Sequence, residues 1–413
     1  MPSSSIAWLD FSEAERRQMV EIIALFKESD TRDELGLAPI RDGFADLFFP
    51  GTSTLQTRAR YFLFIPWLYR GYEKNGVQAI KIEARLRQDE IALIAALGRS
   101  GETDGVIGQI SGASLQRFPS SIYWIGLQTW GIARFPGTQQ QYQRSLDHWH
   151  EHRCIRSEVD EINQDDGFQP NWDAGLPDKP AGFPTQASFA LTRPEACFLR
   201  DRLQLSCTES LLAYLVEHTQ LTNEAILFPW LHPTLETFPP RLQDWLMHAR
   251  NFSEALHGAA LLYNLELSEK SKNEERVLTY QEKMQQWHVE ISVRQAAWAG
   301  WDRAKFWQLA GRPGIHVPVW TRTFVDEWLD CLIAHGQITR PEINPEMRAL
   351  VEKRERHLKG ARSRFENARY LELWSGAAGT GQLEYRWRVA RRITDDILSG
   401  LTSGEEETHA LAG

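Results

Sequence analysis

The chain has 413 residues, a formal net charge of −9 and 42% hydrophobic residues, among them 16 tryptophans. This content of large apolar side chains excludes an intrinsically disordered protein, and the length predicts two domains. The net negative charge excludes a surface that attracts nucleic acid over its whole extent, but it is compatible with a local basic patch. No segment approaches the about 20 consecutive apolar residues that a membrane-spanning helix needs.

The cysteines and the N-terminus indicate a cytoplasmic protein. Cys154, Cys197, Cys207 and Cys331 are scattered without a C-x-x-C pair, which excludes a standard zinc module and is not typical of a disulfide framework. The first residues have neither the basic flank nor the apolar core of a signal peptide. We predict no cofactor and no membrane contact.

In chain order, a short strand is predicted at 6–11. A helix at 13–27 follows, because Ser12 and Glu15 have the spacing of a capping box and apolar residues recur at helical intervals. A second helix is predicted at 39–48.

Residues 48–72 contain aromatic residues and arginines at a higher combined density than any other segment. Thr52 and Ser53 follow a Pro-Gly turn and are able to cap a helix. We therefore predict a helix at 54–65 that ends or kinks at Pro66, because proline removes a backbone donor.

Arg58 and Arg60 lie near the buried side of this predicted helix, where an unpaired charge would be very costly. The favoured interpretation is structural, with the arginines paired to nearby carboxylates such as Asp42 and Asp46. The alternative is a phosphate or carboxylate site at the helix start, where hydroxyls, backbone N–H groups and guanidinium groups converge.

Further helices are predicted at 76–97 and 119–130, and the second could belong to a helix-turn-helix or winged-helix unit. The glycine-rich residues 101–112 lack the spacing of a phosphate-binding loop. A run of potential metal ligands follows in His148, His150, His152 and Cys154. No second ligand group lies at a familiar spacing, so a solvated helix end is favoured and no metal is predicted.

Residues 158–188 are predicted to be an acidic linker between an N-terminal domain, 1–157, and a C-terminal domain, 189–402. Between 158 and 178 there are seven acidic residues and no basic one, interspersed with Gly and Pro. Alternatively, this segment wraps the basic C-terminal surface.

The second domain is predicted to be nearly all helix. Thr192 and Glu195 form another capping-box pattern. Helices are predicted at 241–265, 273–301 and 323–335. Six tryptophans recur here, and we interpret them as helix-packing core rather than as a stacking platform for bases. These are Trp287, Trp298, Trp301, Trp307, Trp320 and Trp328.

Asn344 and Pro345 open a long C-terminal helix that is predicted to reach 368. Residues 352–392 hold eleven Lys or Arg against five Glu, and aromatic residues lie between them. This pattern suits contact with DNA phosphates; the alternatives are an acidic partner, the acidic linker or a plain solvated face. The candidate phosphate contacts are Arg362, Arg364, Arg386, Arg388, Arg391 and Arg392. Residues 403–413 are predicted to be a disordered tail.

The chain resembles a bacterial family known only as a domain of unknown function of about this length. The resemblance rests on WLDF at 8–11, TRDELG at 31–36, residues 40–67 with their PGTSTLQTRARY run, and YRW at 385–387. It implies an association with defence or mobile-element loci, beside helicase-like and phospholipase-D-like proteins, and it gives no residue a role.

No complete catalytic signature is present. His357 and Lys359 have the H-x-K spacing of phospholipase-D-type nucleases, but Arg364 stands where Asp is needed and no second copy follows. Absence of a motif makes catalysis less expected without excluding it.

These observations predict a mainly α-helical protein of two aromatic-rich domains, with a few short strands and room for a winged-helix-like element. The leading hypothesis is a non-enzymatic component that contacts DNA or a DNA-processing partner, such as a helicase-like or nuclease-like protein. One alternative is a cryptic metal-dependent nuclease, for which Arg58, Arg60 and the histidine run would be the first residues to test. The other is an adaptor that binds only proteins.

Overall fold

The computed structural model describes residues 33–102, 104–158, 170–334 and 337–410. The strand and the helix predicted within residues 6–27 lie outside this part of the chain. None of the described helices is both long and apolar enough to cross a lipid bilayer.

The chain forms two compact units, and each combines separate parts of the sequence. The first unit contains residues 33–44 and Leu235–Glu384, and the second contains Ala45–Thr234 and residues 385–410. The sequence instead predicts domains that are continuous along the chain. Compactness does not show which parts fold independently, so the predicted boundaries stay a prediction.

The mainly α-helical class is confirmed. The helices in chain order are α1 (Ala38–Phe48), α2 (Tyr61–Lys74), α3 (Ala79–Arg99), α4 (Pro119–Thr129), α5 (Gln139–Glu158), α6 (Arg193–Ser206), α7 (Leu211–His218), α8 (Pro240–Lys270), α9 (Glu274–Ser292), α10 (Gln295–Ala299), α11 (Arg303–Ala310), α12 (Val319–Leu332), α13 (Pro345–Lys359), α14 (Ala368–Glu372) and α15 (Trp387–Ala410). Strands β1 (Ile333–Ala334) and β2 (Gln337–Ile338) form one antiparallel pair. The winged-helix-like element stays a prediction.

Helices with clear apolar periodicity or a proline at their start are close to where the sequence places them, as α1, α3, α4 and α8 show. The long helix predicted from 345 is shorter than expected. It ends at Lys359, and the next residue, Gly360, has a φ of +51°, in the left-handed region that favours glycine. Helix α15 was not predicted, and it continues to Ala410 through much of the predicted tail.

The helix predicted at 54–65 is wrong in position, because α2 begins at Tyr61 and includes Pro66. Tertiary hydrogen bonds hold the preceding residues in turns. The Gln56 side chain donates to the Gly51 carbonyl and accepts from Ser53 N. The Tyr123 hydroxyl oxygen accepts from the backbone N–H groups of residues 57 and 58 at 2.8 and 3.1 Å. Backbone groups that a helix would pair are therefore satisfied by side chains.

The core of the second unit forms around α2, whose side chains are mostly buried. The ring of Phe62 stacks on Trp130 with centroids 3.8 Å apart, and the Trp130 indole donates to the Pro50 carbonyl at 2.9 Å. Gly126 of α4 lies so close to the carbonyl oxygen of Gly51 that no side chain fits between them. Close packing on α4 therefore determines the conformation of the Pro-Gly turn.

The described part of the predicted acidic linker packs within the second unit. The Trp172 indole donates to the Tyr142 hydroxyl at 3.1 Å. The Asp173 carboxylate accepts from Arg134 at 2.9 Å and from Arg202. These ion pairs lower the pKa of Asp173 against the opposing effect of burial. At least one acidic residue of the predicted linker, Asp173, therefore has specific structural partners.

A buried carboxylate of α3 makes the stability of the second unit sensitive to pH. Glu90 is 2% exposed and accepts from the backbone N–H and the hydroxyl of Ser120, at the N-terminus of α4. Burial raises its pKa from 4.5 to about 7, although both hydrogen bonds oppose the shift. Between these pH values the folded state keeps a proton that the unfolded state has lost. The free energy of unfolding therefore falls as the pH rises through this window.

We expect Glu90→Gln to remove this pH dependence. At pH 8 the variant should be more stable than the wild type by up to about 3 kcal/mol, and near pH 4.5 the difference should disappear. Urea unfolding at several pH values measures it. Glu83→Gln, on the exposed face of the same helix, is the matched control and should show no pH-dependent difference. A Glu90→Gln difference that stays constant with pH would contradict the assignment.

Candidate functional site

Arg58 pairs with a carboxylate far away in sequence. Its Nε and Nη2 atoms donate to Asp396 of α15 at 2.8–3.1 Å, and the N–H of Ala59 donates to the same carboxylate at 2.8 Å. The guanidinium also lies over the ring of Phe189, 4.6 Å from its centroid. The prediction that Arg58 pairs with a carboxylate is thus right in kind, but the expected partners Asp42 and Asp46 are wrong.

Arg60 forms the most deeply buried ion pair of the second unit among the described residues. It is 6% exposed and donates to Glu195 at 2.7 Å and to the carbonyl and hydroxyl of Ser188. The other oxygen of Glu195 accepts from Thr192 N at 2.9 Å. This bond completes the predicted capping box of α6, which is confirmed. Glu195 therefore caps a helix and neutralises a buried arginine at once.

Thr52 and Ser53 do not converge with these arginines at a helix start. The Thr52 hydroxyl donates to the carbonyl of Phe49 at 2.6 Å, and Ser53 N donates to the Gln56 side chain. Both residues stabilise the turn that precedes α2 by several positions. The arrangement favours the structural interpretation of all four residues over an anion site at a helix N-terminus.

Three arginines of the basic segment bind groups of the second unit itself. Arg386 donates to Asp46 at 2.6 Å and to the carbonyl of Thr52 at 2.8 Å. Arg391 donates to backbone carbonyls of residues 222–226, and Arg392 pairs with Asp104. Their positive charge is therefore partly neutralised inside the unit. Arg388 is exposed.

In the first unit, Arg364 belongs to a buried polar network at the end of α13. Arg364 and Lys359 both donate to the Tyr263 hydroxyl, at 2.7 and 2.9 Å, and both pair with Glu34. The fully buried carboxylate of Glu355 accepts from Arg364 N at 2.9 Å. Burial raises the pKa of Tyr263, so its phenol stays protonated. Two cations and two carboxylates balance each other, and the network joins the two separate segments of this unit's sequence.

Sequence reasoning missed this network for a physical reason. Its acid Glu34 and its phenol Tyr263 lie far from α13 in the sequence, and neither belongs to a motif. The local signal is limited to Lys359 and Arg364, which fall at positions of the H-x-K nuclease spacing. The structure shows that both side chains are engaged in internal ion pairs.

The tryptophans of the first unit divide into two groups. Five of the six that the sequence singles out are buried, which confirms their interpretation as packing core: Trp287, Trp298, Trp301, Trp307 and Trp328. Trp320 is the exception, because it is 61% exposed at the start of α12. Its indole lies against the imidazole of His357, with ring centroids 4.8 Å apart and planes 35° apart.

Exposed cationic side chains accompany this aromatic pair. Lys353 is exposed one helical turn before His357, on the same face of α13. Arg362 is exposed in the 3₁₀ turn that follows α13. We call Trp320, Lys353, His357 and Arg362 the Trp320 surface. The buried network of Lys359 and Arg364 ties the end of α13 and the turn that follows it to Tyr263 and Glu34.

The histidine run does not gather into a metal site where it is described. His148 is largely exposed, and the His150 imidazole contacts the carbonyl of Val77 at 3.3 Å. The side chains of His152 and Cys154 lie outside the described residues. Within the described part of the chain, no group of three or more His, Cys, Asp or Glu side chains is arranged to hold a metal ion.

The fold and this surface define a mainly helical protein with an exposed site of aromatic and basic side chains. Residues 3–400 match the family of unknown function DUF6361, and the chain belongs to that family. The resemblance to an uncharacterised family of about 400 residues is therefore confirmed. Neither the curated proteins nor the solved structures contain a match to the chain.

Proposed function

We propose that this protein is a non-enzymatic component that binds DNA through the Trp320 surface. The observation that carries the proposal is the exposure of Trp320 in a unit whose other named tryptophans are buried. Leaving an indole in water forgoes the free energy of burying a large apolar ring, so such a ring is typical of a contact surface. The cations beside it indicate an anionic partner.

The chemistry of the surface fits a single strand better than a duplex. A base can stack on an exposed indole, which every base does with little sequence preference. Lys353 and Arg362 supply charge for the phosphates, which gives affinity without readout of sequence. The Watson–Crick pairs of a duplex keep their bases stacked on each other, so stacking on Trp320 requires an unpaired base.

The basic segment contributes less to this proposal than its composition suggests. Arg364, Arg386, Arg391 and Arg392 have internal carboxylate or carbonyl partners, which reduces the charge that they offer to DNA. Arg362 is exposed and follows His357 by five residues in the chain. We therefore expect a small binding site with few phosphate contacts rather than a long basic face.

We expect Trp320→Ala to weaken binding of single-stranded DNA by about tenfold, since stacking of one base contributes roughly 1–3 kcal/mol. Arg362→Ala should weaken binding as well and reduce the slope of log K against log salt by about 1. Fluorescence anisotropy of a labelled oligonucleotide over a salt series measures both, with duplex DNA alongside.

Lys270→Ala is the matched control for charge. Lys270 is an exposed cation at the end of α8, beside the Glu269–Arg348 ion pair. Arg348 precedes His357 by nine residues of α13. At a rise of 1.5 Å per residue, the ion pair beside Lys270 is therefore about 13 Å along the helix from His357 of the Trp320 surface. This variant should bind like the wild type. Equal binding by Trp320→Ala and the wild type would contradict the proposal and leave the protein-binding adaptor as the better hypothesis. Strand cleavage that needs magnesium would instead favour the nuclease.

The cellular setting is part of the same proposal. The association with defence or mobile-element loci that the resemblance implies supports a bacterial system that handles foreign DNA. We infer a cytoplasmic location, and a helicase-like or nuclease-like partner that acts on the strand that this protein holds. Co-purification from cells that express the neighbouring genes tests the partner directly.

A further inference from the structure

The second unit contains an open groove of about 460 Å³ that the proposed function does not use. One wall is Arg60, the second is the last turn of α3, and the third is the segment that leads to α6. The lining residues are Arg60, Ala96, Arg99, Ser100, Pro180, Ala181, Thr185, Gln186, Ala187 and Ser188. None of these described lining residues is acidic. The volume falls in the range of small-molecule sites.

One buried donor of Arg60 lacks a protein acceptor. The Nη atoms of Arg60 bind Glu195 and Ser188, but its Nε is buried and has no hydrogen-bond partner among the residues that the structure describes. An unsatisfied buried donor costs free energy and is rare in folded proteins. This atom is closed to the solvent of the groove, so a bound anion reaches it only if the Arg60 side chain shifts.

A second guanidinium faces the same space. Arg99 is exposed and donates through Nη2 to the carbonyl of Thr185 at 3.0 Å, which holds its side chain beside the third wall. This bond leaves the guanidinium with further N–H groups for a ligand. Two arginines on different walls suit a phosphate, whose oxygens point in several directions, better than a planar carboxylate.

The groups that would repel an anion are already engaged. The end of α3 presents carbonyl groups, but Ser100 donates to Ala96 O and, through its hydroxyl, to Leu97 O. The carboxylate of Glu195 is bound by Arg60 and by the start of α6. A further acid, Glu102, accepts from Phe189 N at 2.7 Å, and its charge is offset by Arg58 at 4.0 Å. The groove therefore keeps the positive charge of Arg99.

We propose that this groove binds the phosphate group of a small phosphorylated molecule. The guanidinium groups of Arg60 and Arg99 contact the phosphate, and the alanine and proline side chains of the lining contact the organic part of the ligand. The site is separate in sequence and in chemistry from the Trp320 surface, so it does not depend on the DNA-binding proposal.

Thermal unfolding with inorganic phosphate and pyrophosphate tests the proposal, with sodium chloride keeping the ionic strength constant. Both anions should raise the unfolding midpoint of the full chain, because a ligand that binds only the folded state stabilises it. Arg99→Gln should weaken phosphate binding roughly tenfold to a hundredfold, as expected for a lost charge-assisted hydrogen bond. Its midpoint without phosphate should match the wild type, since Arg99 is exposed.

Arg85→Gln is the matched control, because Arg85 is an exposed arginine of the same helix and pairs with Asp89 outside the groove. It should bind phosphate like the wild type. Acetate at equal ionic strength should have little effect. The proposal is overturned if phosphate acts no more strongly than chloride, if Arg99→Gln responds like the wild type, or if acetate stabilises as much as phosphate.

Discussion

Replacing Glu195 with glutamine is expected to lower the free energy of unfolding by about 3 kcal/mol. Glutamine keeps the shape of the side chain but has one acceptor oxygen where the carboxylate has two, so either Arg60 or Thr192 N loses its acceptor when the negative charge is removed. The guanidinium of Arg60, 6% exposed, would then be a buried charge without a counter-ion. Removal of one partner from a buried pair is costly for this reason, even where the pair itself contributes little net stability. Urea unfolding near pH 7 measures the loss.

Glu217→Gln is the matched control for this change. Glu217 lies on α7 of the same unit and pairs with Arg200 at 3.6 Å, where both side chains are partly in water. Because solvent screens exposed ion pairs, we expect a loss of at most about 1 kcal/mol. If the two glutamine variants lose the same stability, the Arg60–Glu195 pair is not the uncompensated buried charge that the structure indicates.

Gly258→Ala is the second variant for which we expect a large loss, about 2 to 3 kcal/mol. Gly258 lies in α8 where the indole of Trp287 from α9 packs directly on the helix backbone. A methyl group there would lie within 2.7 Å of three carbon atoms of the indole. The indole cannot easily move away, because it is buried and donates to the carbonyl of Glu254 at 2.8 Å. The added methyl group can therefore be accommodated only if α8 and α9 move apart.

Replacing Gly98 with alanine should raise the free energy of unfolding, the opposite of the effect expected at Gly258. Gly98 lies in α3, and a methyl group there would meet no atom within 4 Å. Alanine has the higher helix propensity, so Gly98→Ala should raise the free energy of unfolding by about 0.5 to 1 kcal/mol. Thermal or urea unfolding of both variants measures the contrast. A stabilising Gly258→Ala would show that α8 and α9 do not pack as closely as described.

The positions of many helices could be predicted because their signals are local. Apolar spacing, a proline in the first turn and a capping side chain all act within a few residues, so α1, α4 and α8 lie close to their predicted ranges. The capping box at Thr192 is correct for the same reason. The prediction of a helix at 54–65 is wrong in position because Gln56 and the distant Tyr123 supply hydrogen bonds that compete with helix formation.

The candidate sites were less predictable, because partners and exposure depend on residues far apart in sequence. Arg58 is paired by Asp396, and Arg364 by Glu34, across more than three hundred positions in each case. Composition counts these arginines as available charge, whereas folding brings acids to them. Composition likewise cannot separate Trp320 from the tryptophans of the core.

The sequence by itself determined the helical class, the aromatic core and the family, because periodicity, caps and family motifs are properties of short segments. Only the tertiary structure decided which charges are neutralised, that Trp320 lies against His357 at the surface, and that Arg60 and Arg99 line one groove. Ion pairing and solvent exposure are properties of the space around a side chain. That space is formed from distant parts of the chain that come together only on folding.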